Sequence, residues 1–365
     1  MVQKLKNLLL FIFSLIVLEL VSQLIILKFE DKFSILLKHF SNNLSKIVTT
    51  NYQIEWDYEN NKMKPGRYKN QFTSYEVNSL GFRNKEFNLK KDKNKIRIIT
   101  LGGSTTIGLE SPDNKTYPYQ LEELLNEKNN TYEVINMGFS GKSLNFIKNL
   151  FFNEAHKYEP DIIVIYSNRN SILYDGSSVE PNFKNTKLLN LNYYFQENIM
   201  TYRLLWKVYK KIVNFNLQSD YLKSPFQKKG ISEKYLTHDY KNSLTEIINF
   251  SKEKKIKVIL VKQAYFFEPN IIPELNKFSV EELIKNYKED FFIKQYQLKI
   301  DVNFWSVLGT ILNKNIDKFK NYENVIIVDP VNELTSSSDN FTDYLHLTPK
   351  GNKILANKIY QSIKN

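Results

Sequence analysis

From Ile96 onward the chain alternates short apolar runs with longer stretches whose apolar positions recur at helical spacing. That alternation predicts a parallel sheet with helices on both faces, because strands buried on both sides read as near-continuous apolar runs. Ile96–Leu101 reads as the first strand and Tyr119–Glu127 as part of the next helix. Tyr132–Asn136 is the second strand, followed by a helix over Leu144–Lys157. The strongly apolar character of Asp161–Tyr166 marks a third strand at the centre of the sheet. A helix over Tyr240–Lys254, strands at Lys257–Val261 and Val325–Val328, and a helix over Val302–Phe319 continue the pattern. The last helix runs from Pro349 to about Ile363, with Thr348 suited to its N-cap and Pro349 to its first turn.

Two stretches interrupt this rhythm. Residues 172–236 are long and rich in aromatics and fit no simple unit; they are expected to form a lid or a substrate-binding insertion. Residues 268–300 are a second, largely helical insertion.

The N-terminus has a different texture. Lys4 and Lys6 precede an apolar run from Leu8 to Leu27, which Lys28 closes. A helix of about 20 residues crosses the hydrocarbon core, and basic residues ahead of it favour a cytoplasmic N-terminus. No small-x-small cleavage site follows, so residues 1–28 are expected to be an uncleaved signal anchor, a single transmembrane helix. Glu19 within the run is costly in a bilayer, which keeps an amphipathic surface helix or a cleaved signal as alternatives. Residues 29–94 then read as a polar stalk and lead-in, and residues 95–365 as the folded domain, lying outside the cytoplasmic membrane.

Composition narrows the chemistry. The 365 residues include no cysteine, which removes disulfides, thiolate catalysis and Cys-based metal sites together. The net charge of +12 is carried mainly by scattered lysines, and no nucleic-acid module accompanies it, so no nucleic-acid partner is expected. The four histidines are dispersed, so neither a metal site nor a cofactor is expected. Protein partners and oligomeric state are not readable from the chain.

Against this background Asp343-Tyr344-Leu345-His346 stands out, a carboxylate and an imidazole three residues apart near the C-terminus. Gly102-Gly103-Ser104-Thr105 follows the first strand, Gly141 the second, Asn170 the third, and Asp343 and His346 the last. All five therefore fall beyond the carboxyl ends of parallel strands, the edge where open α/β sheets build their sites. A serine, a histidine base and a carboxylate that orients it suit nucleophilic acyl transfer.

Each residue also has a plain reading. Gly-Gly-Ser-Thr after a strand is often just a turn; Asp343 could cap a turn and His346 be an ordinary loop residue. Gly141 and Asn170 taken singly say little. Order on the right strand ends is what favours the joint site. Of the other histidines, His238 beside Asp239 opens a helix, His156 lies near a helix end and His39 sits by the expected membrane segment. Arg169 is a candidate contact for an anionic substrate group or an exposed salt bridge.

In these blocks the sequence resembles the SGNH, or GDSL, hydrolase superfamily. Gly102-Gly103-Ser104-Thr105-Thr106-Ile107-Gly108 is similar to the first block, with Gly103 in place of its usual aspartate. Asn136-Met137-Gly138-Phe139-Ser140-Gly141-Lys142-Ser143 corresponds to the second, and Asn168-Arg169-Asn170 to the third, with Asn168 where a glycine is usual. Asp343 to His346 corresponds to the fifth, and Leu80-Gly81-Phe82-Arg83 resembles a segment ahead of the serine block in membrane-anchored members.

The resemblance implies a flavodoxin-like three-layer α/β sandwich around a central parallel sheet, the SGNH hydrolase fold. It implies Ser104 as nucleophile, His346 as base and Asp343 as its orienting carboxylate, and an oxyanion hole from the Ser104 and Gly141 amides and the Asn170 side chain. Asn168 stays as the alternative to Asn170. The expected activity is that of an esterase or deacetylase acting on an acylated envelope saccharide or lipid. An O-acyltransferase using the same triad, and a non-catalytic binding protein on this scaffold, are the alternatives.

Overall fold

The computed structural model describes residues 13–14, 17–19, 21, 56–57, 62–70, 72–168, 170, 233–266, 271–298 and 300–364. By its contacts the chain divides into Lys62–Pro181 with Pro225–Asn365, and Met1–Asn61 with Asn182–Ser224. The first of these units carries the sheet. Nearly all of the expected anchor over residues 1–28, and all but the end of the 172–236 insertion, lie outside the described residues. Among those described, no helix is long and apolar enough to cross a membrane.

Five parallel strands form the sheet: β1 (Ile96–Gly102), β2 (Tyr132–Gly138), β3 (Ile162–Tyr166), β4 (Lys257–Val261) and β5 (Val325–Val328). Their order is β2-β1-β3-β4-β5, so β3 is central, and every one of its five residues is buried. This is the flavodoxin-like winding, whose strand order reverses beside β1 and opens a crevice at the carboxyl edge.

Alternation along the strands divides the core into two halves. On one face Ile98, Val134, Val164, Ile259 and Val328 cluster with Leu121 and Leu125 of α2 (Tyr117–Asn126) and Leu355 and Ile359 of α6 (Pro349–Lys364). Their neighbours Ile99, Ile135, Ile163, Val258 and Leu260 are equally buried and point to the other face. There α3 (Leu144–Asn153) contacts β1 and α4 (Tyr240–Glu253), and α4 contacts β4 and α5 (Ile300–Asp317). Burying a Leu or Ile side chain in such a layer contributes roughly 1.5–3 kcal/mol. Three layers follow because each strand needs cover on both sides. Between β1 and α2 lies the four-residue α1 (Ser104–Ile107).

The expected boundaries hold to within a few residues, with one informative difference. The helix read over Leu144–Lys157 stops at Asn153 and re-forms as a 3-10 turn, Ala155–Tyr158. Glu154 leaves the helical region at φ −142°, and its carboxylate accepts from the Tyr158 hydroxyl and the Lys62 ammonium. A tertiary partner decides that break. At the other end, Thr348 caps α6 as expected, its hydroxyl accepting from the Gly351 amide at 3.3 Å. Among the described residues of the second insertion, short helices span Ile271–Leu275, Val280–Lys288 and Phe291–Tyr296.

The lead-in is where expectation needs correcting. Residues 29–94 read as a polar stalk, yet from Lys62 on the chain belongs to the same unit as the sheet. Gly66–Lys69 and Ser74–Val77 pair as an antiparallel hairpin, and Met63, Tyr75, Val77 and Phe82 are buried. Asn78 folds the next turn by accepting from the Leu80 and Phe82 amides, which turns Phe82 inward against Phe139. Tyr75 and Val77 do alternate with exposed neighbours, but over a four-residue strand, and the rest of the lead-in packs through turns, so the run is too short to announce itself.

Candidate active site

The carboxyl edge of the sheet gathers the residues. Ser104 opens α1 directly after β1, and its side chain is almost fully buried. Its Oγ lies 2.8 Å from His346 Nε2, and His346 Nδ1 lies 2.7 Å from Asp343 Oδ2. An ionised carboxylate only accepts, so the Nδ1 proton points at Asp343 and the Nε2 lone pair faces the serine hydroxyl. That is the tautomer a base for Ser104 requires.

The loop carrying Asp343 and His346 is locked from within. Asp343 Oδ1 accepts from the backbone amides of Leu345 and His346, both at 2.7 Å. The Thr342 amide donates to the His346 carbonyl at 2.8 Å, and a bridge between Phe341 and Leu347 closes the base. Leu345 is buried, and the Tyr344 carbonyl accepts from the Phe266 amide at 2.8 Å, tying the loop to the segment after β4. Partial burial acts to raise the Asp343 pKa, but the hydrogen bond and charge of His346, with the two amides, outweigh it and hold the carboxyl below its usual range.

α1 is held just as firmly. Asn136 Nδ2 donates to the Thr106 carbonyl at 3.1 Å, and Arg83 Nη1 donates to the Ile107 and Gly108 carbonyls at 3.0 and 2.5 Å. Arg83 Nη2 reaches the Ser111 carbonyl at 2.7 Å and its Nε pairs with Asp113 at 2.8 Å. The guanidinium thus satisfies the orphan carbonyls at the end of the serine's own helix.

The two asparagines part company. Asn170 Nδ2 donates to the Lys142 carbonyl at 3.1 Å and lies 2.8 Å from where a Cβ on Gly103 would stand, so it borders the serine turn. Asn168 also borders the site, but its amide is engaged elsewhere: its Nδ2 donates to the Gly309 carbonyl and to Asn313 Oδ1, and its Oδ1 accepts from the Tyr265 hydroxyl at 2.7 Å. Gly141 precedes Lys142 in the turn after β2 at φ 74°, a conformation that glycine adopts without strain. Ser104, Asn168, Asn170, Tyr166, Ser167, Gln263 and Leu345 line one small cavity of about 10 Å³.

Sequence reasoning passed over three contributors. Arg83 stood in a noted string but without a role, Gln263 donates to the buried Tyr166 hydroxyl at 2.7 Å, and Glu110 carries a carboxylate 3.9 Å from His346 Nδ1. Nothing in the local sequence separates Glu110 from other glutamates. The remaining histidines are elsewhere: His156 contacts the Phe151 carbonyl, and exposed His238 contacts Asp239. Arg169 and His39 lie outside the described residues.

No family model and no curated protein matches the chain. Among solved structures it is similar to a lipase/acylhydrolase from Enterococcus faecalis, at 15% identity, TM-score 0.42, covering 74% of this chain and 95% of that one. A GDSL-like lipase from Bacteroides thetaiotaomicron matches at 15% identity and TM-score 0.39, covering 75% and 90%. An acetyl xylan esterase from Geobacillus stearothermophilus matches at 12% identity and TM-score 0.40, covering 73% and 94%. At such identities and TM-scores the chemistry rests on the geometry of the site alone.

Proposed function

We propose that the protein is a serine-dependent carboxylic-ester hydrolase of the SGNH type, working through an acyl-serine intermediate. The observation that carries this reading is the unbroken hydrogen-bonded chain from Asp343 through His346 to Ser104 at the carboxyl edge of the sheet. His346 Nε2 takes the hydroxyl proton as Ser104 Oγ attacks the ester carbonyl, and Asp343 stabilises the imidazolium. His346 then returns the proton to the leaving alkoxide; water repeats the sequence on the acyl-serine and releases the acid.

The tetrahedral oxyanion needs donors fixed in advance. The Ser104 and Gly141 amides and the second Asn170 N–H supply them, with the first Asn170 N–H anchored on the Lys142 carbonyl. Asn168, engaged with Asn313 and Gly309, takes no part. Asn170→Ala is expected to lower kcat on the order of 10²-fold, with KM little changed, whereas Asn168→Ala acts through stability. Steady-state kinetics on an activated ester, with a denaturation curve for each variant, checks this.

The cavity beside Ser104 points to a small acyl group. A cleft of about 10 Å³ holds little more than a water-sized group, and its walls set Ser167, Asn168, Asn170 and Gln263 beside Tyr166 and Leu345. A fatty chain finds no room in a cleft of that size and would lie largely against polar side chains. Acetyl esters are therefore expected to be cleaved with kcat/KM at least about 100-fold above octanoyl esters of the same alcohol. Equal rates across chain lengths would contradict this.

For the alcohol side and the location we extend the sequence reading: an acylated envelope saccharide or lipid, reached by a domain anchored outside the cytoplasmic membrane by residues 1–28. The basic Lys4 and Lys6 ahead of the Leu8–Leu27 run support that orientation. Assaying acetyl loss with and without a saccharide acceptor tests the reaction. Free acetate supports hydrolysis, and acetylated acceptor formed in step with acetyl loss would replace it by transfer. Protease accessibility in intact cells tests the topology; a protected, cytoplasmic domain would remove the envelope substrate.

A further inference from the structure

We propose that Glu110 is a second positioning carboxylate for His346, facing from the serine's own segment the same ring nitrogen that Asp343 holds from the histidine loop. This rests on the triad reading above. Glu110 Oε1 lies 3.9 Å from His346 Nδ1, and its side chain is only 10% exposed, whereas that of Asp343 is 46% exposed. Two carboxylates of unlike environment therefore flank one nitrogen.

The placement is built by tertiary structure. Arg83 clamps the Gly108 and Ser111 carbonyls on either side of Glu110, Asn70 Nδ2 donates to the Leu109 carbonyl at 2.7 Å, and Asn352 of α6 reaches Ser111 Oγ at 3.0 Å. The charged groups facing Glu110 are His346, Asp343 and Arg83. Burial, with Asp343, holds its carboxyl above the usual glutamate range, and the charges of His346 and Arg83 offset this only in part, so Glu110 acts most strongly where the pH leaves it ionised.

At 3.9 Å Glu110 makes no hydrogen bond to the ring; it acts on the charge. A buried carboxylate meets an imidazolium through less solvent than an exposed one does, so it favours the protonated ring as Ser104 gives up its proton. Closing about 1 Å would let it take the Nδ1 hydrogen bond if Asp343 were absent. Asp343→Ala leaves room for that closure, whereas Asp343→Asn offers an amide donor and disturbs the tautomer.

Two measurements on the full chain decide the matter. The first is the titration of His346, followed by NMR with labelled histidine and assigned by His346→Gln; Glu110→Gln is expected to move its midpoint down by about one pH unit. The acidic limb of kcat/KM should move the same way. The second is a double-variant cycle: Glu110→Gln is expected to cost about 5-fold in kcat with Asp343 present and about 50-fold in Asp343→Ala, with KM held. A stationary midpoint, or the same loss in both backgrounds, would overturn the proposal. If the wild-type chain shows no Ser104-dependent turnover the triad reading falls instead, and the titration still decides whether Glu110 acts on the ring.

Discussion

Ser104→Ala is expected to abolish labelling by a serine-reactive phosphonate and to lower kcat on acetyl esters on the order of 10⁵-fold. At 1.36 kcal/mol per decade this is about 7 kcal/mol of transition-state stabilisation, the largest effect of any single side chain here. The fold should scarcely notice. Among the described residues Ser104 Oγ hydrogen-bonds to His346 alone, so the denaturation midpoint should correspond to a change within about 1 kcal/mol. The combination is diagnostic: a variant that stays folded and loses both labelling and turnover has lost the nucleophile. Retained labelling at full rate would show that the probe reacts elsewhere, and retained turnover would sink both the hydrolase and the transferase readings.

The chemistry of the triad is written in the order of the chain. Ser104, Asp343 and His346 were legible because strand patterns such as Ile162–Tyr166 are strongly apolar, and strand ends locate loops. Parallel winding then brings loops far apart in sequence to one edge, so order along the chain becomes proximity in space. The choice between Asn168 and Asn170 was not legible. Two residues apart on one segment, they are separated by which finds Asn313, Gly309 and Tyr265 across the molecule and which finds Lys142. Glu110 was silent for the same reason: its burial and its distance to His346 are set by Arg83, Asn70 and Asn352, none of them a neighbour in sequence.

Arg83→Met provides the sharpest test of how the site is supported. The guanidinium side chain is 2% exposed and serves the Ile107, Gly108 and Ser111 carbonyls, the Asp113 carboxylate and the ring of Tyr75, 4.8 Å away. Methionine keeps much of the volume and none of the donors, leaving buried carbonyls unpaired. Breaking a buried network of this kind costs about 4 kcal/mol, read as a lowered denaturant midpoint with the slope unchanged. Arg97 offers a control of the same kind away from the serine. Its side chain is 1% exposed, pairs with Glu133 and serves the Asn88, Leu89 and Tyr158 carbonyls, near the amino ends of the strands. Arg97→Met should destabilise by a similar amount, yet leave kcat of the folded enzyme near wild type. Arg83→Met should also lower kcat about 10-fold or more under conditions where both variants are fully folded, because the carbonyls it frees end the helix that presents Ser104 and bracket Glu110. Equal kcat in the two variants would reduce Arg83 to a structural arginine and detach the lead-in from the chemistry.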